Sequence, residues 1–227
     1  MIHRYEDRLA ASEAAGAHIV AALERRLGGD SQAALVVSGG TTPVAAFHYL
    51  ARQAIGWDSV LVLPSDERWV PPDHDHSNEK LVRDTLLTGE AAAAAFLPLY
   101  ADGMTPEEFV PELDGRLAAL PSPFACALLG MGTDGHFASL FPDVQSLADG
   151  LDPESPARCL AVRTAASPHP RMSLTLSALL DSDSIVLLVF GDDKLSVLED
   201  AKADETAYPV SRLLHQDRTP VDAFWAP

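Results

Sequence analysis

Four short apolar runs constrain this chain more than any other feature. Residues 34–37, 60–63, 124–129 and 184–190 are built largely of Val, Leu, Ile, Ala and Phe, with almost no alternation of polar and apolar positions. They are strand-length, and continuous apolar character marks strands buried on both faces. Between them lie longer stretches with helical spacing. Residues 5–27 carry Leu9, Ile19, Val20, Leu23 and Leu27 among Ala, Glu and Arg, and end at Gly28-Gly29. Residues 43–53 read as a helix capped by Thr42 with Pro43 in its first turn, and residues 77–87 as one capped by Ser77. Thr105-Pro106-Glu107-Glu108 opens another, which stops before Pro121-Ser122-Pro123. Strands alternating with helices predict an α/β fold, Rossmann-like, with a mostly parallel sheet flanked by helices.

The remaining segments fit the same plan. Residues 159–163 read as a strand, 171–180 as a helix or a strand, 194–201 and 209–215 as helices, and 221–225 as a last edge strand. The alanine-rich stretch 90–95 reads as loop or helix end, and residues 143–156 as loop. No linker or internal repeat divides the chain, so all 227 residues are expected to form one domain. Acidic residues outnumber basic ones by 33 to 16, a net charge of -17, which disfavours nucleic acid and anionic membrane surfaces as partners. The absence of a long apolar segment or a secretory-type leader predicts a soluble, cytoplasmic protein, as a monomer or small homo-oligomer. Two cysteines, Cys126 and Cys159, make neither a disulfide framework nor a zinc motif, and a bridge between them stays open at this stage.

In parallel sheets ligands bind beyond the carboxyl ends of the strands, so the strand ends carry the functional signal. The first run delivers Ser38-Gly39-Gly40-Thr41-Thr42 and then a helix. Glycines admit close backbone approach, and the hydroxyls and free N–H groups offer donors to a phosphate. A turn that only joins strand to helix would read the same, and the spacing is not that of a P-loop. The second run ends in Asp66-Glu67-Arg68, where Arg68 can grip an anion or pair with its acidic neighbours. The following Asp73-His74-Asp75-His76-Ser77-Asn78 invites a metal reading, but Asn78 and Asp84 stand where a calcium loop needs Gly and Glu, so no metal is expected. The third run ends in Gly130-Met131-Gly132-Thr133-Asp134-Gly135-His136. His136 suits a general base, and Asp134 can orient it or bind a sugar hydroxyl. Arg171 and Lys194 are two further cations near strand ends in a strongly acidic chain. No Gly-x-Ser-x-Gly elbow is present, so hydrolysis here would use activated water.

Taken in order, Ser38-Gly39-Gly40-Thr41-Thr42-Pro43, Asp66-Glu67-Arg68-Trp69-Val70-Pro71 with Ser77-Asn78, the stretch from Gly130 to Pro142, Arg171-Met172-Ser173-Leu174-Thr175 and Gly191-Asp192-Asp193-Lys194 closely resemble the 6-phosphogluconolactonase family over nearly the entire chain. That resemblance implies a fold shared with glucosamine-6-phosphate deaminases. It implies hydrolysis of 6-phospho-D-glucono-1,5-lactone to 6-phosphogluconate, with no cofactor and no required metal. His136 then matches the general base and Arg68 the substrate-binding arginine, which can serve the oxyanion, Asp134 or the phosphate. Ser38, Gly39, Gly40, Thr41, Thr42, Arg171 and Lys194 match phosphate-site positions. A deaminase of this fold would carry a further carboxylate soon after the Asp-Gly-His motif and Asp-Glu-Tyr after the second strand. Here residues 138–142 contain no acid. A non-catalytic sugar-phosphate sensor would carry a basic DNA-binding segment, for which the residues before the first apolar run are too few.

Overall fold

The computed structural model describes every residue except Ser31. In chain order the strands and α-helices are β1 (Ile2–Arg4), α1 (Arg8–Gly29), β2 (Ala33–Val37), α2 (Val44–Leu50), β3 (Val60–Pro64), β4 (Asp66–Arg68), α3 (Asn78–Thr85), β5 (Ala95–Phe96), α4 (Pro106–Ala118), β6 (Cys126–Leu129), α5 (Leu147–Gly150), β7 (Cys159–Val162), β8 (Arg171–Leu174), α6 (Leu176–Leu180), β9 (Ile185–Phe190), α7 (Asp192–Ala203), α8 (Pro209–Leu214) and β10 (Val221–Ala226). Seven strands form one sheet in the order β1-β10-β9-β6-β2-β3-β5, and every neighbouring pair is parallel. The expected α/β architecture is therefore present.

Burial on both faces explains why the central strands are continuously apolar. Ala34 and Val36 of β2, Ala127 and Leu129 of β6, and Ile185, Leu187 and Val189 of β9 pack into one core. Their alternates Leu35, Val37, Cys126, Leu128, Val186 and Leu188 pack into the other, against α1 and α2. Helix α1 contributes Ala11, Ala15, Ile19, Ala22 and Leu23, a stripe at helical spacing, and Asp7 caps it by accepting from the Ala10 amide at 2.8 Å. Its small residues let α2 come close: a Cβ at Gly16 would lie 2.5 Å from Cδ1 of Tyr49.

Several boundaries differ from the sequence-based expectation. Strand β10 is not an edge, because the three-residue β1 pairs outside it. A strand that short has no readable period. Helix α1 starts after Asp7 rather than at residue 5. Helix α2 starts at Val44 with Pro43 at the cap position and no side-chain cap, so Thr42 does not serve as its cap. Thr42 instead belongs to a turn entered through Gly40, whose φ is 82°. The alanine-rich stretch forms a 3-10 turn, Gly89–Ala93, and then β5. Residues 171–180 hold a strand and a helix in succession. Cys126 and Cys159 are both free and buried, and burial pushes each thiol up to about 12, so neither a bridge nor a reactive thiol is present.

A second, three-stranded antiparallel sheet, β4-β8-β7, sits at the carboxyl end of the large one and was not legible beforehand. Among the described residues no helix is long and apolar enough to cross a membrane. Leu187 lies at the centre of the doubly covered sheet with no exposure. Leu187→Ala is expected to cost about 2–5 kcal/mol, read as a lower urea midpoint with an unchanged denaturant slope.

Candidate active site

The strand order reverses between β2 and β6. The chain steps from β2 to β3 and β5 on one side, then returns to build β6 and β9 on the other. Such a reversal opens a crevice at the carboxyl ends of the two strands. The loops that leave β2 and β6 flank it, and the small antiparallel sheet lies across it. A cleft of about 300 Å³ results, lined by Ser38, Gly39, Gly40, Thr41 and Thr42 from the first loop, Gly130 to Gly132, His136 and Ala138 from the second, Asp66, Arg68 and Arg171 from the small sheet, Asn78, and Lys194.

Gly39 is fixed by its neighbour. A Cβ there would lie 1.9 Å from Oδ1 of Asn78, so only glycine lets the loop pass beneath this amide. Asn78 is held in turn, donating its Nδ2 to the Asp66 carbonyl and its backbone N–H to Oε1 of Glu67, both at 2.7 Å. Because α2 has only seven residues, the loop's own amides and hydroxyls, more than a helix dipole, make this wall a donor surface.

In the β6 loop Asp134 and His136 form a pair. His136 Nδ1 lies 2.5 Å from Oδ1 of Asp134, and the same oxygen accepts from the His136 backbone N–H at 3.2 Å. A carboxylate only accepts, so Nδ1 carries a proton, which in the neutral ring leaves the lone pair on Nε2. A Cβ at Gly132 would stand 2.3 Å from His136 Nδ1 and 2.5 Å from the Asp134 oxygen, so a side chain there would break the pair. The loop is closed by Gly132 N–H donating to the His136 carbonyl at 2.9 Å, and tied to α8 by Val210 N–H donating to the Gly135 carbonyl at 2.9 Å. The imidazole rests on Phe141, with ring centroids 4.0 Å apart. Asp134 stands behind His136 and is not part of the cleft wall.

The small sheet brings in two guanidinium groups. Arg68 of β4 is paired directly with Arg171 of β8, which puts both side chains on one face. Arg171 Nη1 donates to Ser139 Oγ at 3.2 Å and to Asp66 Oδ2 at 3.4 Å, while Ser139 donates to that same oxygen at 2.6 Å. Arg171 also lies over the Phe141 ring at 5.1 Å. Burial holds its guanidinium below the usual value, opposed mainly by Asp66, yet an arginine stays cationic. Arg68 pairs with neither Asp66 nor Glu67; its Nη1 donates to the His76 carbonyl at 2.8 Å. The Nε atoms of Arg68 and Arg171 are buried without a hydrogen-bond partner. Both arginines line the cleft, and two guanidinium groups in one wall suit an anion. Lys194, in the first turn of α7 behind Gly191, is half-buried; burial lowers its ammonium value first, then nearby Arg8, while Asp134 raises it.

Of the residues singled out in the sequence, Ser38, Gly39, Gly40, Thr41, Thr42, Arg68, His136, Arg171 and Lys194 meet in one cleft, with Asp134 supporting His136. Sequence reasoning offered Asp66 only as a partner for Arg68, whereas it pairs with Arg171, and gave no role to Asn78, Ser139 or Phe141. The run Asp66-Glu67-Arg68 was itself a signal, since buried carboxylates need partners. Ser139 and Phe141 gave none.

The family model described as glucosamine-6-phosphate isomerases/6-phosphogluconolactonase matches residues 6–225. The chain belongs to this family. Within it, the chain is 39% identical to a 6-phosphogluconolactonase of Rhizobium meliloti, with 100% of this chain and 98% of the relative aligned. It is 43% identical to one of Caulobacter vibrioides, covering 94% and 92%. The crystal structure of a 6-phosphogluconolactonase from Shewanella baltica superposes with a TM-score of 0.95 at 37% identity, over 100% of this chain and 97% of that one. A monomeric glucosamine-6-phosphate deaminase, at 16% identity and a TM-score of 0.75, shares the fold.

Glu67 secures the cleft from behind. It is buried and accepts from the backbone N–H groups of Arg68 at 2.8 Å and of Asn78 and Glu79 at 2.7 Å. Burial raises its carboxyl to about 7, against the lowering effect of those N–H groups. A raised carboxyl binds its proton more tightly in the folded state, so its contribution to stability is full below the unfolded value of 4.5 and is lost as pH rises through about 7. Glu67→Gln sets an amide donor against one of these N–H groups and is expected to cost about 1–3 kcal/mol. It should also flatten the stability–pH curve across that window, measured by urea denaturation at a series of pH values.

Proposed function

We propose that this cleft hydrolyses 6-phospho-D-glucono-1,5-lactone to 6-phospho-D-gluconate, with His136 as the base that activates water. One observation carries the reading: the His136 imidazole, held by Asp134, and the guanidinium groups of Arg68 and Arg171 line a single small cleft. The relatives named above supply the substrate class.

The chemistry asks little of the protein. A lactone is an activated ester, and water attack at C1 needs one proton acceptor and some stabilisation of the developing oxyanion. In this reading Nε2 of His136 takes a proton from water as its oxygen bonds to C1. Asp134 holds the imidazole in the right tautomer and offsets the charge it gains. Collapse of the tetrahedral intermediate breaks the bond from C1 to the ring oxygen, which receives the same proton, and the new acid ionises at neutral pH.

Binding supplies the rest. Arg171, Lys194 and the donors of the Ser38–Thr42 loop take the phosphate, and Arg68 adds a second guanidinium to the same wall. These groups must overcome the field of a chain with a net charge of -17, which explains why several cations converge on one small volume. The deaminase alternative would need a free carboxylate in the wall. Asp66 is the one acid there, and Ser139 and Arg171 occupy it.

His136→Ala is expected to lower kcat by about 10²–10⁴-fold with product still bound, in a pH-stat assay corrected for spontaneous ring opening. Wild-type turnover in that variant would remove His136 from the mechanism. Lys194→Ala and Arg171→Ala are expected to raise KM for the phosphorylated lactone by about ten- to a hundredfold, and Lys194→Ala, which leaves the Asp66 contacts intact, to leave an unphosphorylated gluconolactone unaffected. Equal effects of Lys194→Ala on both substrates would displace the phosphate site.

A further inference from the structure

Three imidazoles gather beside Arg68, on segments that the reaction does not use. His74 and His76 lie in the loop between β4 and α3, and His169 in the turn that precedes β8. Their ring centroids are 5.1 Å apart for His74 and His76, 5.6 Å for His74 and His169, and 5.3 Å for His76 and His169. His76 Nδ1 and His169 Nε2 are 3.1 Å apart, so one ring donates a proton to the other. The His76 backbone N–H donates to His74 Nδ1 at 3.0 Å, and Arg68 Nη1 donates to the His76 carbonyl. Among the described residues no three His, Cys, Asp or Glu side chains are arranged to hold a metal ion.

We propose that the His76–His169 hydrogen bond positions Arg68 for substrate and makes that grip sensitive to pH. The inference rests on the reading of Arg68 as a substrate-binding cation. The bond ties the 71–77 loop to the 167–170 turn, and the carbonyl that holds the Arg68 guanidinium belongs to the same residue as one of the two rings. The same two segments are joined nearer the small sheet by the Trp69 N–H, which donates to the Pro170 carbonyl at 2.8 Å. A histidine–histidine hydrogen bond needs one unprotonated nitrogen. With both rings charged, two donors face each other and the bond is lost.

The surroundings oppose a second charge. From its own loop the pair faces His74, while Asp75 of that loop is engaged by Lys80 of α3 at 3.3 Å. From β4 comes Arg68, and from β8 Arg171, whose charge is matched by Asp66. Burial first, and then His76, His74, Arg171 and Arg68, hold the His169 imidazole below its ordinary value. The lowered His169 value puts the proposed loss of the bridge on the acid side of the ordinary imidazole value.

The test compares KM and kcat of wild type, His169→Gln, His169→Ala and Arg68→Ala from about pH 8 to about pH 5.5. Glutamine keeps a hydrogen bond to His76 and does not titrate; alanine removes the bond. The substrate phosphate titrates in this range for every variant, so the readout is the KM ratio to wild type at each pH. With His169→Ala, KM is expected to rise about three- to tenfold at the upper end of the range, with kcat unchanged. With His169→Gln, KM should match wild type there and fall below it at the lower end. A His169→Gln ratio that stays flat, or wild-type KM in His169→Ala, overturns the inference. If Arg68→Ala raises KM while both His169 variants behave as wild type, this inference alone fails. If Arg68→Ala leaves KM unchanged, the reading of Arg68 fails with it.

Discussion

The buried Asp66 carboxylate joins the two parts from which the cleft is made. It accepts from Ser139 on the β6 loop and from Arg171 on the small sheet, while its backbone carbonyl takes the Asn78 amide that covers Gly39. One residue thus connects the small sheet, the loop that carries His136 and, through Asn78, the Ser38–Thr42 loop. A carboxylate with almost no exposure is costly unless its oxygens are filled, and here Ser65, Ser139 and Arg171 fill them. Removing any one partner would leave charge uncompensated in the wall. Arrangements of this kind place groups well at the expense of tolerance to change.

Above this joint the large sheet is generic. Parallel strands buried on both faces can be filled by many apolar sequences, and little in the two cores bears on chemistry. The information specific to this chain is concentrated where strands end. There glycines permit close approach, charged side chains find partners across elements, and the reversal of strand order leaves room for a ligand. Family membership and the relatives' names agree with that reading without depending on any single residue.

Legibility in the sequence followed the range of the interactions involved. The central strands declared themselves through continuous apolar runs and the long helices through local periodicity, and the caps Ser77 and Thr105 could be read from residue type. The loops after β2, β6 and β9 were visible because each carries glycine beside groups that have no place in packing. What stayed hidden was pairing between distant segments. Strands β1 and β4 have three residues each, and β4 consists entirely of charged ones, so neither has an apolar signature. Arg68 could be seen as an anion-binding group, but its hold on the His76 carbonyl could not. The meeting of His76 with His169, 93 residues apart, has no trace in composition or spacing.

Phe141 touches both ends of the proposed reaction. The His136 imidazole lies against its ring, and the Arg171 guanidinium sits over the same ring. On the proposed roles, the group that activates water and a group that anchors the phosphate would both be referenced to this one ring, which would set their spacing and so the length of sugar ester that presents its C1 to the imidazole.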